Sequence, residues 1–376
     1  MSENSKIRVG VLGASGYTGA DLVRLLVAHP NVEIVLLTGE RKAGLPLGEV
    51  FPHLVGYDLP NMIALKDIEW ANIDIDVVFC ALPHATSQEV IKGLLHQTGH
   101  SLLDELIAET PADLADSVKG EVKIVDLSAD FRLRDAATYA EWYGREHTAQ
   151  DVQTRAVYGL PELYRNDIKG ANLVACPGCY PTAALLALVP ALNKGLITKE
   201  HITIDAKSGV SGAGRSLKEA NLFVEVAEAM HPYAVGQHRH MPEIEQELSV
   251  AAGGEEVRIS FTPHIVPMNR GELETIYVNL ADGTSAADLK AVLVEHYADE
   301  TFVTVLEGAS APATRMVRGS NMCALNVFED RIPGRAIIVA AIDNLVKGSS
   351  GQAVQNMNLM LGLDEATGLQ QAPMFP

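Results

Sequence analysis

Apolar residues recur along this chain in two rhythms, and the change between them divides it. Ile7-Arg8-Val9-Gly10-Val11-Leu12, Val32-Glu33-Ile34-Val35-Leu36-Leu37, Asp76-Val77-Val78-Phe79-Cys80-Ala81-Leu82 and Val122-Lys123-Ile124-Val125-Asp126-Leu127 are short apolar runs, most of them rich in β-branched residues. Such runs predict buried strands. Leu22, Leu25 and Leu26 follow helical spacing within 20–28, and strands alternating with helices predict a parallel sheet. A further short strand ends near Ala175. The Pro177-Gly178 turn then leads into a helix opening near Cys179. The run Ala183-Ala184-Leu185-Leu186-Ala187-Leu188-Val189 is too apolar for a surface helix and predicts burial.

After that helix the pattern changes. Strands are predicted at 202–207, 257–261, 274–280, 302–306, 323–328 and 336–342, with one helix at 286–297. Many strands with few helices suggest an α+β arrangement with a mostly antiparallel sheet. A last helix, 350–361, carries Val354, Met357 and Leu361 on one face and is expected to return to the first domain. Residues 96–120 read as an extra helical excursion, and 364–376 as a frayed tail.

The turn after the first strand gives the first half a purpose. Gly13-Ala14-Ser15-Gly16-Tyr17-Thr18-Gly19 links a strand to a helix, the setting of a dinucleotide-binding loop. Its glycines let backbone approach a pyrophosphate resting on the helix N-terminus. The spacing is G-x-x-G-x-x-G rather than G-x-G-x-x-G. An NAD site usually ends the second strand with an acid for the ribose. Here Thr38-Gly39-Glu40-Arg41-Lys42 offers the neutral Thr38 and the cations Arg41 and Lys42, which suit the 2′-phosphate of NADP; Glu40 keeps NAD open. The expected architecture is an α/β Rossmann dinucleotide-binding domain, residues 1–178 with 346–376, plus an α+β catalytic and oligomerisation domain, residues 179–345.

Composition narrows the partners. The net charge of −19 argues against nucleic acid, and it means that an anionic substrate must be drawn in by local arginines and lysines. No apolar run approaches the roughly 20 residues of a membrane span. Four cysteines in 376 residues fit a reducing compartment, and the early first strand leaves no room for a targeting peptide, so a cytoplasmic location is expected.

Cys179 is the main chemical candidate. A thiol at a helix N-terminus meets orphan N–H groups and the positive dipole end, which favour the reactive thiolate. The plain alternative is a small buried residue beside a turn. Cys176-x-x-Cys179 also admits redox or zinc readings, but Cys80 and Cys323 lack the paired spacing that zinc needs, and no metal is expected. His238 and His240, two of 12 histidines, flank Arg239. A nucleophilic thiol needs a proton-transfer partner, and histidine titrates near neutrality. Arg132, just past a strand end, suits an anion. The loop Ser208-Gly209-Val210-Ser211-Gly212-Ala213-Gly214-Arg215 is permissive enough for close approach to a ligand. His84 reads as a packing residue beside the cofactor crevice.

These pieces, with Ser128-Ala129-Asp130-Phe131-Arg132, Pro177-Gly178-Cys179-Tyr180-Pro181-Thr182, His238-Arg239-His240-Met241-Pro242-Glu243-Ile244 and Ala341-Ile342-Asp343-Asn344-Leu345-Val346-Lys347-Gly348, span nearly the whole chain. In that order they resemble the N-acetyl-γ-glutamyl-phosphate reductase family, relatives of aspartate-semialdehyde dehydrogenase. The resemblance implies reduction of N-acetyl-γ-glutamyl phosphate by NADPH in arginine biosynthesis, through a thioester on Cys179, in a homo-oligomer (dimer or tetramer). It implies His238 as acid–base group, and Arg132, Arg215 and His240 as substrate-side residues. On the cofactor side it implies Gly13, Ser15, Gly16, Tyr17, Thr18, Gly19, Ser211, Gly212 and Asn344. A reductase of N-acetyl-aminoadipyl phosphate or a carrier-linked analogue would share every motif. Aspartate-semialdehyde dehydrogenase shares the thiol logic with poorer loop matches. A catalytically silent dinucleotide sensor is the rival from another class.

Overall fold

A computed structural model describes residues 6–84, 86–95 and 122–375. The chain forms two compact units: Met1–Pro177 with Ser350–Leu369, and Gly178–Ser349 with Gln370–Pro376.

In the first unit the apolar runs become β1 (Ile7–Leu12), β2 (Val32–Leu37), β3 (Val77–Cys80), β4 (Lys123–Asp126), β5 (Val157–Tyr158) and β6 (Leu173–Ala175). They form one parallel sheet in the order β2-β1-β3-β4-β6-β5. Strands covered on both faces read as continuous apolar runs, which is why periodicity found them. Helices α1 (Tyr17–Leu26), α2 (Thr86–Leu95), α3 (Ala136–Tyr143) and α4 (Pro161–Lys169) belong to this unit. Helix α1 starts at Tyr17 rather than near 20, so Tyr17, Thr18 and Gly19 are its first turn and not loop. Gly19 permits this: a Cβ there would lie 2.4 Å from the Gly13 carbonyl oxygen. The excursion at 96–120 lies outside the described residues.

The second unit begins with α5 (Cys179–Asn193), buried from Tyr180 to Leu192. It continues through β7 (Ile202–Gly209), β8 (His231–Pro232), α6 (Met241–Ala251), β9 (Ile259–Val266), β10 (Glu272–Asn279), α7 (Ala286–His296), β11 (Val303–Val305), β12 (Cys323–Glu329) and β13 (Arg335–Ile342). The sheet order is β11-β12-β13-β10-β7-β9-β8. Four pairings are antiparallel, while β11–β12 and β7–β9 are parallel. The sheet is therefore mixed and mostly antiparallel. Helix α5 packs against α6, α7, β10 and β13.

Two strands are shifted in ways that matter for the second sheet. Strand β9 starts at Ile259 and runs on to Val266, held parallel to β7 residue by residue. Strand β10 starts at Glu272 rather than at the expected Glu274, because Glu272 is an acid at an inward position that apolar periodicity skips. Helix α6 and the two-residue β8 carry too weak an apolar signature to be foreseen.

After β13 a single π-helical turn, Val346–Ser350, leads into α8 (Gly351–Met360). Helix α8 lies in the first unit against α1, α4 and β4, buried along its whole length. Its amides find partners there: Asn356 Nδ2 donates to the Gly159 carbonyl at 2.8 Å, and Asn358 Nδ2 to those of Glu365 and Thr367. The end of the chain corrects the expected frayed tail. Residues from Gln370 cluster with the second unit, where Met374 N donates to the Arg318 carbonyl at 2.7 Å and Arg315 stands over the Phe375 ring.

Candidate active site

The first unit supplies a nucleotide-binding loop. Gly13 follows β1 with φ +88°, and a Cβ on it would lie 2.3 Å from the Ala81 carbonyl oxygen. Gly16 caps α1 without a side-chain hydrogen bond, and no acid stands in the first turn. A helix N-terminus capped by glycine, following a glycine turn at a parallel strand paired on both sides, fits a pyrophosphate.

Thr38, expected beside the 2′-phosphate, holds the loop itself. It is 1% exposed; its hydroxyl accepts the Gly13 N–H at 2.9 Å and its carbonyl accepts Ala14 N–H at 2.8 Å. It clamps the loop. Arg41 and Lys42 are exposed in the turn Glu40–Lys42. The Glu40 carboxylate accepts the Leu65 N–H at 2.8 Å.

Arg132 is 7% exposed and donates from Nη2 to the Leu127 carbonyl at 3.0 Å. A buried network fixes its loop. Asp126 accepts from Ser128 N–H and Oγ, Ser128 Oγ accepts the Asp130 N–H, and the Tyr139 hydroxyl donates to Asp130 at 2.7 Å. Burial, reinforced by Asp130, pushes the Asp126 carboxyl up to about 7. Periodicity could not single out this network; the acids at 126 and 130 flanking Ser128 were the available signal. His84 Nδ1 accepts the Ala129 N–H at 3.2 Å and its ring meets Tyr143 edge-on, a packing role.

The second unit holds the thiol. Cys179 opens α5 and is partly exposed. The turn before it is pinned by Glu243, whose Oε1 accepts the Gly178 N–H at 2.9 Å. A side chain at 178 would collide with the His240 ring, 2.5 Å from where its Cβ would stand. The expected low thiol pKa is not found. Burial pushes the Cys179 thiol well up, the Glu272 and Glu274 carboxyls add to this, and the Tyr180 N–H directed at the sulfur offsets only part. Resting Cys179 is a thiol, because desolvation and nearby acids outweigh the helix N-terminus.

His238 and His240 come together, ring centroids 4.7 Å apart. His240 N–H donates to His238 Nδ1 at 3.1 Å, which assigns the His238 proton to Nε2. The His238 ring also meets Tyr180, Tyr233 and Phe261. Burial, aided by the Arg239 charge, lowers its pKa to about 4, so the free imidazole is neutral, not half-protonated as the residue type suggests. Tyr180 and Tyr233 share a hydroxyl hydrogen bond at 3.1 Å. Sequence reading missed these tyrosines and Glu243 as site-builders, although two of the three lie inside the motifs it quoted.

Asn344 is 3% exposed; its Oδ1 accepts the Gly271 N–H and its Nδ2 donates to Ser211 Oγ. It ties down the 208–215 loop, in which Gly212 and Arg215 are exposed. Cys176, in the first unit, is 1% exposed, accepts from Asn356 at 3.4 Å, and is pushed up to about 12 by burial. Such a thiol is a poor redox partner.

A nucleotide-binding unit and a unit built on a cysteine at a buried helix start define an NAD(P)-linked oxidoreductase of the semialdehyde dehydrogenase class. Residues 8–105 match the semialdehyde dehydrogenase NAD binding domain, and 179–344 the semialdehyde dehydrogenase dimerisation domain. The fold is shared with aspartate semialdehyde dehydrogenase II of Vibrio cholerae, at TM-score 0.68 and 16% identity over 95% of this chain and 99% of that one. The Candida albicans aspartate semialdehyde dehydrogenase solved with NADP gives 0.66 and 18%, over 95% and 98%. N-acetyl-gamma-glutamyl-phosphate reductase of Afipia carboxidovorans is 54% identical over 371 residues, 99% of both chains. That of Rhodospirillum rubrum is 51% identical over 376 residues, all of both chains. The chain belongs to the N-acetyl-γ-glutamyl-phosphate reductase family.

Proposed function

We propose that the chain reduces N-acetyl-γ-glutamyl phosphate with NADPH to N-acetylglutamate 5-semialdehyde and phosphate, in arginine biosynthesis, through a thioester on Cys179. One observation carries the mechanism. In a member of this family, Cys179 opens a buried helix, and the next side chain, Tyr180, packs against the His238 ring.

Cys179 attacks the acyl phosphate carbonyl. The Gly178 N–H is engaged by Glu243, the Tyr180 N–H faces the sulfur and Pro181 has none, so the Cys179 N–H is the first-turn donor for the oxyanion. His238 works through Nε2. A phosphate dianion beside it offsets the burial that keeps the free ring neutral, so the bound substrate itself favours the imidazolium. That proton passes to the leaving phosphate. Arg132 and Arg215 are the cations for the substrate's phosphate and carboxylate, and His240 orients His238.

Gly13, Ser15, Gly16, Tyr17, Thr18 and Gly19 would hold the dinucleotide at the α1 N-terminus, with Ser211 and Gly212 as further contacts and Asn344 bracing them. Reduced nicotinamide supplies the hydride when bound. NADPH is favoured over NADH because Arg41 and Lys42 are exposed while Glu40 is engaged with Leu65. Arg41→Ala is expected to weaken NADPH by about tenfold, the value of one exposed charge-assisted contact, with NADH little changed. Titrating both nucleotides checks this, and equal losses would remove the 2′-phosphate role.

A homo-oligomer fits the dimerisation-domain match and the exposed apolar residues Leu217, Phe223 and Val224 of the second unit. Its location is proposed as cytoplasmic, consistent with four free cysteines. The reaction itself is tested by phosphate-dependent NADP⁺ reduction with N-acetylglutamate semialdehyde. Activity is expected only with phosphate present, and a preference for the aminoadipate homologue would reassign the substrate.

A further inference from the structure

Cys179 opens α5 between two tight contacts, and a glycine makes each of them. Gly178 makes one, where the His240 ring fills the space a Cβ would need. Gly348 makes the other. A Cβ on Gly348 would lie 2.7 Å from Cys179 Cβ and 3.1 Å from Cys179 Cα, with Ile342 Cδ1 next at 3.2 Å. Carbon atoms in contact settle at about 3.5–4.0 Å. The bare backbone at Gly348 therefore rests directly on the residue that carries the thiol, and both lie in the second unit.

The backbone conformation does not ask for glycine at this position. Gly348 has no positive φ, so other residues could adopt its conformation. Inside a helical segment glycine is the less stable choice beside alanine. Space, not φ, excludes a side chain here, and the space is taken by Cys179 and Ile342.

The turn that carries Gly348 is fixed from several directions. It is π-helical, and the Gly348 N–H donates to the Asp343 carbonyl at 3.0 Å. Turns of this kind are rare and recur at functional sites. Asp343 is buried; its Oδ1 accepts the Leu345 and Val346 N–H groups and its Oδ2 accepts the Gly319 N–H. Lys347 is buried too, with its ammonium 5.6 Å from the centre of the Phe302 ring. The buried Ile342 ends β13 just before the turn. A turn held at so many points does not give way, so it sets the place of whatever packs on it.

We infer that Gly348 is a positioning residue for the nucleophile: its turn is the wall that fixes where Cys179 Cβ stands, and so where the sulfur meets the acyl carbonyl. This rests on Cys179 being the nucleophile. Gly348 acts through Cys179 rather than on the substrate. Attack needs the reacting atoms aligned at about 3–3.5 Å. Opening a 2.7 Å contact to an ordinary carbon–carbon distance moves Cys179 Cβ by about 1 Å, and a misplacement of that size costs about 10²-fold in rate.

The test is Gly348→Ala in the full chain. Phosphate release from N-acetyl-γ-glutamyl phosphate without NADPH reads attack by the sulfur, and NADPH titration counts the folded sites. Release per folded site is expected to slow about 10²-fold, with NADPH affinity changed less than about twofold. A loss of folded chain alone would leave the rate per site as it was. Adding Ile342→Val removes Cδ1 and gives the new methyl room. The double variant is expected to regain about tenfold of the lost rate, and it carries the test if Gly348→Ala does not fold. An unchanged rate per site in either variant would overturn the proposal. So would a double variant no faster than the single one, which would place the damage away from this contact. A loss of NADPH affinity equal to the loss of rate would make Gly348 a cofactor contact and overturn it as well. Failure of the nucleophile reading is separately visible, as turnover retained by Cys179→Ala.

Discussion

Cys179→Ala is expected to abolish turnover, lowering kcat on the order of 10⁴-fold or more, the scale seen when a covalent nucleophile is removed. The methyl group of alanine fits the start of α5 and leaves Glu243 bonded to the Gly178 N–H, so the fold should survive. NADPH binding should be nearly unchanged, because the glycine loop and Arg41 lie in the other unit. Steady-state rates and a fluorescence titration of NADPH check the two halves. Retained activity would mean that the carbonyl is reduced without passing through sulfur. Lost activity with lost NADPH binding would point to a folding defect instead.

His238→Asn is expected to cost about 10²–10⁴ in kcat, the range for removing a general acid–base group. Asparagine can still accept the His240 N–H that now meets His238 Nδ1 at 3.1 Å, so the turn is preserved while the titrating nitrogen is lost. His240→Asn should cost less, because that ring packs against Gly178. If His240→Asn proves the more damaging, the two histidines exchange roles. Burial also leaves a mark on stability. The unfolded imidazole takes a proton near 6.5 and the folded one only near 4, so between these values the unfolded chain binds more protons. Stability is therefore lost as pH falls through that window, and His238→Asn should flatten this part of a melting-temperature profile.

Much of this was legible in the sequence. Parallel strands buried on both faces announce themselves as apolar runs, and the glycine loop announced its position at the end of β1. Cys179 and the two histidines stood out by residue type and setting. What stayed hidden depended on surroundings rather than on pattern. The helix N-terminus suggested a thiolate at Cys179, but β10 brings two acids and a buried environment to the same place, and these reverse the sign. The buried acid Glu272 broke the apolar alternation, which started the expected strand two residues late, at Glu274. The place of Thr38 in the chain suggested only that it suits the 2′-phosphate; folding adds that its hydroxyl accepts the Gly13 N–H. The tail past Gln370 lacks periodicity, yet a backbone hydrogen bond to Arg318 and the stacking of Arg315 on Phe375 hold it.

The central claim is that the acyl group is carried on Cys179. Mixing the chain with N-acetyl-γ-glutamyl phosphate in the absence of NADPH, quenching in acid and mapping the peptides tests it directly. The expected result is an N-acetylglutamyl adduct on the Cys179 peptide, formed together with one equivalent of phosphate and discharged on adding NADPH. An unmodified Cys179 in a preparation that turns over normally would contradict it.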